Sequence, residues 1–244
     1  MIRHFEELSL NAWPALQTVV YDGWMIRFSG GYTKRANSVN PLYDSTDDLY
    51  SKIQYCESIF KTKSLTPVFK MTPSVHPENL DAVLESQGYN AIDHTSVQLL
   101  DLSGLAEPLL QTVKLEEKLS ETWLNQFCLL NNHNDTNRAT MKRMLASIVP
   151  NTCFVSLLQG ESVVACGLGI LERGYLGIFD IVTDRQFRNR GFGEQLILNL
   201  LKWGRENGAK YSYLQVMRSN APALKLYLKL GFQEIYHYWY RVKQ

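Results

Sequence analysis

Residues 152–184 contain three consecutive runs that are rich in β-branched and aromatic residues: "TCFVSLLQG", "SVVACGLGILERG" and "YLGIFDIVTD". Short turn sequences separate them, at Gln159-Gly160-Glu161 and at Glu172-Arg173-Gly174. Connections this short join strands that run in opposite directions. We therefore predict a meander of antiparallel strands in the second half of the chain.

The meander leads into the stretch "RNRGFG", Arg188–Gly193, which is followed by the apolar segment "EQLILNLLKWGREN". That segment has an amphipathic helical pattern and ends at Asn207-Gly208, a helix stop. Free N–H groups at a helix start, glycines and two arginines together favour a bound phosphate. The six residues alone also fit a solvated surface turn. They match neither the P-loop nor the GxGxxG pattern.

Composition limits the classes of partner. The 244 residues carry 25 basic and 24 acidic side chains, and 45% of the chain is hydrophobic, enough for one large or two modest domains. With a net charge of +1, nucleic acid is not an expected partner. No run is long enough to span a bilayer, so we expect no membrane association and a cytoplasmic location. The four cysteines and five histidines lack metal-ligand spacing, so no metal is expected.

Further patterns predict the remaining elements. In the first half we expect a helix from Phe5 to Gln17, and strands in "VVYDGWMIRF" and "GGYTKRANSV" around a hairpin turn at Ser29-Gly30-Gly31. A helix in "STDDLYSKIQYCESIFKTK", a strand in "TPVFKM", a helix in "HPENLDAVLESQGY" and a strand in "TSVQLLDLSG" follow. In the second half we expect helices in "SETWLNQFCLLNN", "ATMKRMLASIV" and "NAPALKLYLKLG", and strands in "YSYLQVM" and "FQEIYHYWYRV".

The two halves share a pattern. "NLDAVLESQGYNAI" and "PALKLYLKLGFQEI" each contain a leucine-rich helical segment, a glycine-aromatic stop and an isoleucine three residues later. Internal duplication and coincidence both explain this spacing. The softer region between Ser103 and Leu115 is the expected domain boundary.

Two blocks of the second half resemble the GNAT superfamily of N-acetyltransferases. "VTDRQFRNRGFG" is similar to its Gln/Arg-x-x-Gly-x-Gly/Ala acyl-CoA signature through Arg188, Gly191 and Gly193. "NAPALKLYLKLGF" is similar to its Asn-x-x-Ala-x-x-x-Tyr-x-x-x-Gly-Phe pattern, through Asn220, Ala223, Tyr227, Gly231 and Phe232. The resemblance covers roughly Leu115 to Gln244. It implies an α/β (α+β) fold with a mixed, mostly antiparallel central sheet flanked by helices.

The first half is similar to a degenerate copy of the same fold, which implies a domain at 1–110 and a catalytic domain at 111–244. No part of the first half matches the phosphate loop. Its expected roles are to wall the acceptor pocket and to stabilise the second domain. Lys34, Arg35 and Asn37 form one polar cluster that could face a ligand, and a solvated strand face explains them equally well.

The resemblance also implies a mechanism in which an amine attacks the thioester of acetyl-CoA in a ternary complex. Arg188, Asn189, Arg190, Gly191, Phe192 and Gly193 would bind the pyrophosphate, and the backbone amides of Ile181 and Val182 would polarise the carbonyl. Tyr227 is the candidate acid, since a phenol with a pKa of about 10 can protonate a leaving thiolate. Asn220 is both a predicted helix N-cap and a coenzyme A contact in the family.

The general base is less evident. Some relatives that acetylate protein N-termini have a glutamate where this chain has Gln215, and glutamine cannot serve as a base. Asp180 is the first substitute, followed by Glu172 with a water chain. An acceptor amine with a low pKa would need no base.

The sequence therefore predicts an N-acetyltransferase that acts on a primary amine of a small molecule or peptide. The alternative is a silent acyl-CoA-binding sensor, in which the missing base reflects lost turnover. The identity of the acceptor and the oligomeric state remain open.

Overall fold

The computed structural model describes residues 1–243, which group into two compact units. The first contains Met1–Ser96, Met217–Ser219 and the residues from Tyr236 onward. The second contains Val97–Val216 and Asn220–Ile235. The units thus cut across the expected sequence boundary at residue 110, and the assignment of 1–110 and 111–244 as domains remains a prediction.

Seven α-helices and eleven strands are present among residues 1–243. The helices are α1 (Ile2–Ala12), α2 (Leu49–Thr62), α3 (Leu80–Ser86), α4 (Glu121–Asn131), α5 (Asp135–Ala146), α6 (Phe192–Glu206) and α7 (Ala221–Lys229). The strands are β1 (Gln17–Tyr21), β2 (Trp24–Phe28), β3 (Val39–Pro41), β4 (Val68–Met71), β5 (Asn90–Asp101), β6 (Val113–Glu116), β7 (Asn151–Gln159), β8 (Ser162–Glu172), β9 (Tyr175–Thr183), β10 (Tyr211–Met217) and β11 (Gln233–Val242).

In the first unit the strand order is β1-β2-β3-β4-β11-β5. The pairs β1–β2, β2–β3 and β4–β11 are antiparallel, and β3 and β4 are parallel. The core contains Trp24, Phe60, Phe69 and Tyr89, each no more than 1% exposed. Several of these rings meet edge to face, the favourable arrangement for buried aromatic pairs.

Charged side chains are also buried in the first unit, and each has partners. Glu6 forms an ion pair with Lys70 and accepts a hydrogen bond from the Tyr236 hydroxyl at 2.8 Å. The guanidinium of Arg27 donates to backbone carbonyls, including that of Leu10 at 3.3 Å. Such pairing offsets the cost of removing these charges from water.

In the second unit the strand order is β5-β10-β9-β8-β7-β6. Strands β7, β8 and β9 form the expected antiparallel meander, and β10 is parallel to β9. Helix α6 packs on this sheet through apolar side chains that are at most 5% exposed: Leu196, Ile197, Leu198, Leu200 and Leu201. The mixed, mostly antiparallel sheet with flanking helices is confirmed.

The units repeat one order of elements. The first contains β1-β2-β3-α2-β4-α3-β5, and the second leads through β7-β8-β9-α6-β10-α7-β11. In each case the strands before and after the longer helix pair in parallel, β3 with β4 and β9 with β10. This common order supports an internal duplication better than the spacing alone did.

Polar side chains cap the N-termini of four helices. The side chains of Asp48, Ser120, Asn134 and Asn220 accept hydrogen bonds from the first turns of α2, α4, α5 and α7. Each satisfies a backbone N–H group that has no partner inside its helix.

Three expectations about local structure were wrong. The first helix ends at Ala12, before Pro14, and does not reach Gln17, which begins β1. The run "VVYDGWMIRF" is two strands joined at Asp22-Gly23, where both residues have positive φ (38° and 79°), as a tight hairpin turn requires. Lys34–Ala36 form a 3₁₀ helix, not part of a strand. The softer region, for which no element was predicted, ends in the short strand β6, which extends to Glu116 and pairs with β7.

Among residues 1–243, no helix has the length and apolar character needed to cross a membrane.

Candidate functional site

Strand β9 carries a β-bulge near its end. Phe179 pairs with Leu168 and Val182 pairs with Cys166, so Asp180 and Ile181 together lie opposite one residue of β8. Asp180 has a φ of 52°, in the left-handed region that a residue other than glycine seldom adopts. A bulge bends the strand and changes the direction of the groups that follow it. The end of β9 is thereby redirected just before the basic loop.

The residue opposite the bulge is Gly167. A Cβ atom at this position would lie 2.6 Å from Cδ1 of Ile181 and 3.1 Å from Cδ2 of Leu196. The missing side chain therefore makes room for Ile181 between β8 and helix α6. A glycine inside a strand is a recognised sign of a bulge, and "ACGLGIL" contains two, but sequence reasoning did not use this sign.

The pairing between β9 and β10 ends just before the bulge. Their parallel ladder runs from Tyr175–Tyr211 to Ile178–Leu214 and ends there, although β9 continues to Thr183 and β10 to Met217. The last parts of the two strands thus border a gap in the hydrogen-bonded ladder. Ile181 and Val182, expected to offer backbone amides, lie in this part of β9.

The loop after β9 leads into the start of α6. The Asp184 side chain accepts from the N–H of Gln186 at 2.9 Å, which caps the 3₁₀ helix Arg185–Phe187. Asn189 and Gly191 then have positive φ values of 58° and 83°. Gly191 is the N-cap of α6, and the space where its Cβ would project is open. Because this N-cap has no side chain, the helix start is open to an external acceptor of N–H bonds.

Positive charge surrounds the same helix start. Arg188 and Arg190 are exposed, and Arg188 Nε donates to the carbonyl of Thr183 at 3.2 Å. The guanidinium carbon of Arg190 lies 5.3 and 5.5 Å from the ring centroids of Phe187 and Phe192, within cation–π range. The arginines and the helix dipole together suit a phosphate group.

Helix α7 packs close to this loop. A Cβ atom on Gly193 would lie 3.2 Å from Thr183 Oγ1 and 3.7 Å from Leu226 Cδ2. Glu194, also in the first turn of α6, pairs with Lys229 of α7 at 2.6 Å. Gly193 thus permits a close approach of β9, α6 and α7, and the Glu194–Lys229 pair is a contact that sequence reasoning missed.

The expected acid and its helix cap both lie on α7. The Asn220 side chain accepts from the N–H of Ala223 at 3.3 Å, so the predicted N-cap is confirmed. Tyr227 is 8% exposed, and its ring meets that of Phe232 at 5.9 Å. It belongs to the apolar cluster that also contains Ile178 and Leu214, the last pair of the β9–β10 ladder.

The base candidates occupy different places. Asp180 is half-buried in the bulge. Burial raises the pKa of the Cys128 thiol on α4, Arg138 opposes this effect, and the negative charge of Asp180 adds to it. Gln215 is half-buried and follows the last ladder residue of β10. Glu172 pairs with Arg173 at the turn between β8 and β9. It is five residues beyond Gly167 along β8, about 17 Å away.

The polar cluster in the first unit is held by internal contacts. Asn37 Oδ1 accepts from the N–H groups of Ser29 and Gly31, at 2.7 and 2.8 Å. Lys34 pairs with Asp93 at 2.9 Å, and Arg35 Nε donates to the Tyr238 hydroxyl at 3.4 Å. The expectation that these residues lie on a strand was wrong, because the Asn37 amide bends the chain.

Comparison with known families matches almost the whole chain. Residues 1–241 match the family described as "Probable histone acetyltransferase Rv0428c C-terminal". The chain is also 30% identical over 251 residues to the uncharacterized N-acetyltransferase YobR of Bacillus subtilis (strain 168), an alignment that covers 100% of this chain and 99% of the relative.

Solved structures share the fold at low sequence identity. A GCN5-related N-acetyltransferase from Kribbella flavida is 13% identical with a TM-score of 0.71, over 99% of this chain and 95% of that one. A tandem GNAT protein from the clavulanic acid biosynthesis pathway, also 13% identical, has a TM-score of 0.61 over 79% of this chain and 68% of that one.

The sequence of the chain thus matches acetyltransferases along its length. The same chain contains the bulged strand, the loop with arginines and glycines, and the capped helix α7. The chain belongs to the family described as "Probable histone acetyltransferase Rv0428c C-terminal" and is a GNAT N-acetyltransferase, an acyltransferase.

Proposed function

We propose that the second unit transfers an acetyl group from acetyl-CoA to a primary amine while donor and acceptor are bound together. The observation that supports this most directly is the order of features along one strand. The end of the β9–β10 ladder at Ile178, the bulge at Asp180 and the start of α6, which no side chain caps, follow one another within residues 178–192. A gap between strands next to an anion-binding helix start suits a thioester joined to a pyrophosphate.

Residues 188–193 would bind the pyrophosphate of the donor. The first-turn N–H groups of α6 point out of the helix start, and Gly191 leaves the approach to them open. Arg188 and Arg190 supply positive charge on either side of Asn189. Asn220, at the start of α7, is proposed as a further contact with the coenzyme A moiety.

The separated end of β9 would act on the thioester carbonyl. Backbone N–H groups of Ile181 and Val182 are proposed to donate to the carbonyl oxygen and to stabilise negative charge as it develops there. The packing of Ile181 over Gly167 fixes the local backbone at the bulge. These amides would therefore need no reorganisation during the reaction.

Tyr227 is proposed as the general acid. Its phenol is largely buried on α7, in the same apolar cluster as Ile178 and Leu214. There it would donate its proton to the sulfur of the leaving thiolate. Exclusion of water by the surrounding apolar side chains would strengthen that interaction.

Asp180 is proposed as the base that takes the proton from the attacking amine. It is half-buried in the bulge, whereas Glu172 lies at the turn between β8 and β9 and is too distant to be preferred. The acceptor is proposed to be a primary amine on a small molecule or peptide. The expectations of no nucleic-acid partner and of a cytoplasmic location remain predictions.

Thiol release from acetyl-CoA across a panel of primary amines tests the proposal. At least one amine should support turnover, and Tyr227→Phe should lower kcat about 100-fold while the affinity for coenzyme A changes little. Tyr211→Phe is the matched control, because Tyr211 is half-buried on β10 at the opposite end of the ladder and stacks on Tyr175. Tight coenzyme A binding without turnover on any amine would instead support a silent sensor.

A further inference from the structure

In the first unit, the loop that precedes α2 holds the carboxylate of Asp22. Asp22 lies in the β1–β2 turn, more than twenty residues earlier in the chain. The backbone N–H of Thr46 donates to both carboxylate oxygens, at 3.1 and 3.0 Å, and that of Asp47 donates at 2.9 Å. The hydroxyls of Thr46 and Ser45 donate at 3.0 and 2.9 Å. Both oxygens are therefore enclosed by donors from one loop.

A buried cation completes this arrangement. The Lys52 side chain, in the first turn of α2, is 0% exposed, and its Nζ lies 2.7 Å from Asp22 Oδ2. The same ammonium lies 4.2 Å from the ring centroid of Trp24. The hydrogen bond from Lys52, followed by that from the Asp47 backbone, holds the pKa of Asp22 well below its ordinary value. The carboxylate is thus a bound anion at neutral pH.

Gly23 allows the turn to press directly on the loop. A Cβ atom at Gly23 would lie 2.2 Å from the carbonyl oxygen of Asp44 and 2.7 Å from that of Tyr43. The N–H of Tyr43 donates to the Gly23 carbonyl at 3.1 Å. These contacts leave no space for a side chain at residue 23, and they fix the position of its neighbour Asp22.

The loop occupies the same place in its unit as the loop before α6. Each follows a strand, precedes the longer helix of a strand-helix-strand unit, and lies between two parallel strands. Before α6 the N-cap is Gly191 and the side chains around it are arginines. Before α2 the N-cap is Asp48, whose side chain accepts from Ser51 N at 2.9 Å, and Asp44 and Asp47 add negative charge.

We propose that residues 43–48 form a loop of the phosphate-binding kind. The carboxylate of Asp22 occupies its anion site, and external phosphate is therefore excluded. The first unit would then take no acyl-CoA pyrophosphate at this loop. Only this consequence for the donor rests on the proposed function. The internal anion is a separate claim, and it can be tested without acetyl-CoA.

Chemical rescue of Asp22→Ala provides the test. This variant removes the bound carboxylate and leaves the Lys52 ammonium and the donors of Ser45, Thr46 and Asp47 in place. Formate would replace the missing carboxylate, and inorganic phosphate would test whether the loop accepts a phosphate. Asp44→Ala is the matched control, because it also removes one carboxylate, here from the loop itself, at a side chain that is 97% exposed.

For a phosphate dissociation constant of about 2 mM, we expect about 20 mM phosphate to raise the Tm of Asp22→Ala by about 3 °C. The reference is sodium chloride of equal ionic strength. Wild type and Asp44→Ala should show no such rise. The additional substitution Lys52→Met should abolish the phosphate effect. If Asp22→Ala is unfolded in dilute buffer, phosphate should restore its circular dichroism.

An equal effect of phosphate on all three proteins would overturn the proposal, and so would a phosphate effect that survives Lys52→Met. Rescue by formate alone would overturn the claim that the loop is of the phosphate-binding kind. Failure of the whole protein to bind coenzyme A would count against the donor site before α6 and would leave the rescue result for Asp22 unaffected.

Discussion

Ile181 Cδ1 lies 2.6 Å from the position that a Cβ atom would take on Gly167. This relationship couples the bulge in β9 to the absence of a side chain on β8. It also places Ile181 against helix α6, which begins at the loop proposed to bind the donor.

Gly167→Ala should therefore disturb the bulge. The added methyl group must displace Ile181 or Leu196, and overpacking of this kind costs about 1 to 3 kcal/mol of the free energy of unfolding. We expect a loss of kcat larger than the loss of coenzyme A affinity, because the amides of Ile181 and Val182 would shift. Gly104→Ala, at an open position, is the control in urea unfolding and in activity assays.

Gly191→Glu should abolish binding of coenzyme A in calorimetry. A carboxylate would then occupy the helix start that is proposed to receive the pyrophosphate, and it would repel that group. Gly160→Glu is the matched control, because Gly160 also has a positive φ, 61° against 83°, and an open Cβ position. Similar coenzyme A affinity in the two variants would contradict the assignment of the loop.

Arg190→Gln should weaken coenzyme A binding about tenfold at low ionic strength, since it removes one charged donor near the phosphates. The difference from wild type should shrink as salt is added, because Arg190 is exposed. Arg173→Gln changes an arginine that pairs with Glu172 at the other end of β9 and should leave the affinity unchanged. A salt-independent difference would argue against an electrostatic role for Arg190.

Asp81→Asn should remove a pH-dependent part of the stability of the first unit. Arg241, and to a lesser extent Trp239, hold the pKa of Asp81 below its ordinary value of 3.8, against the effect of burial. The stabilisation by the Asp81–Arg241 contact is complete at pH values above the pKa of Asp81 in the unfolded chain. It is lost as the pH falls through the lower pKa of Asp81 in the folded protein. We expect wild type to be about 2 kcal/mol more stable than the variant above pH ~5.

The same difference should narrow below pH ~4, as measured by urea unfolding between pH ~3 and ~7. Asp44→Asn provides the control, because the Asp44 side chain is 97% exposed. A difference that stays constant down to pH ~3 would show that the Asp81–Arg241 contact contributes through packing and not through charge.

Local chemistry made much of the second unit predictable. The turns around Gly160 and Gly174, the apolar face of α6 and the Asn220 cap depend on neighbouring residues, and each is found where the sequence places it. The arginine- and glycine-containing loop could be recognised for the same reason.

Features set by strand register were not predictable in this way. The bulge depends on how β8 and β9 align over their whole length, and Gly167 gave only an indirect sign of it. The Asp22-Gly23 dipeptide is in contrast a strong local signal for a hairpin turn, and it was overlooked because apolar residues continue on both sides of it. Lys34–Ala36 form a 3₁₀ helix because Asn37 binds two N–H groups of the preceding turn, a contact that alternation along a strand does not reveal.

The last strand has a consequence for the order in which the protein can form. From Tyr236 onward, β11 belongs to the first unit and pairs there with β4, whose residues are made about 170 positions earlier in the chain. During synthesis the inner edge of β4 has no partner from β11 until Tyr236 and the residues after it have been made. The first unit is thus completed only after the residues of the second unit have been made, and a nascent chain halted before Tyr236 would present an open strand edge to chaperones or to other chains.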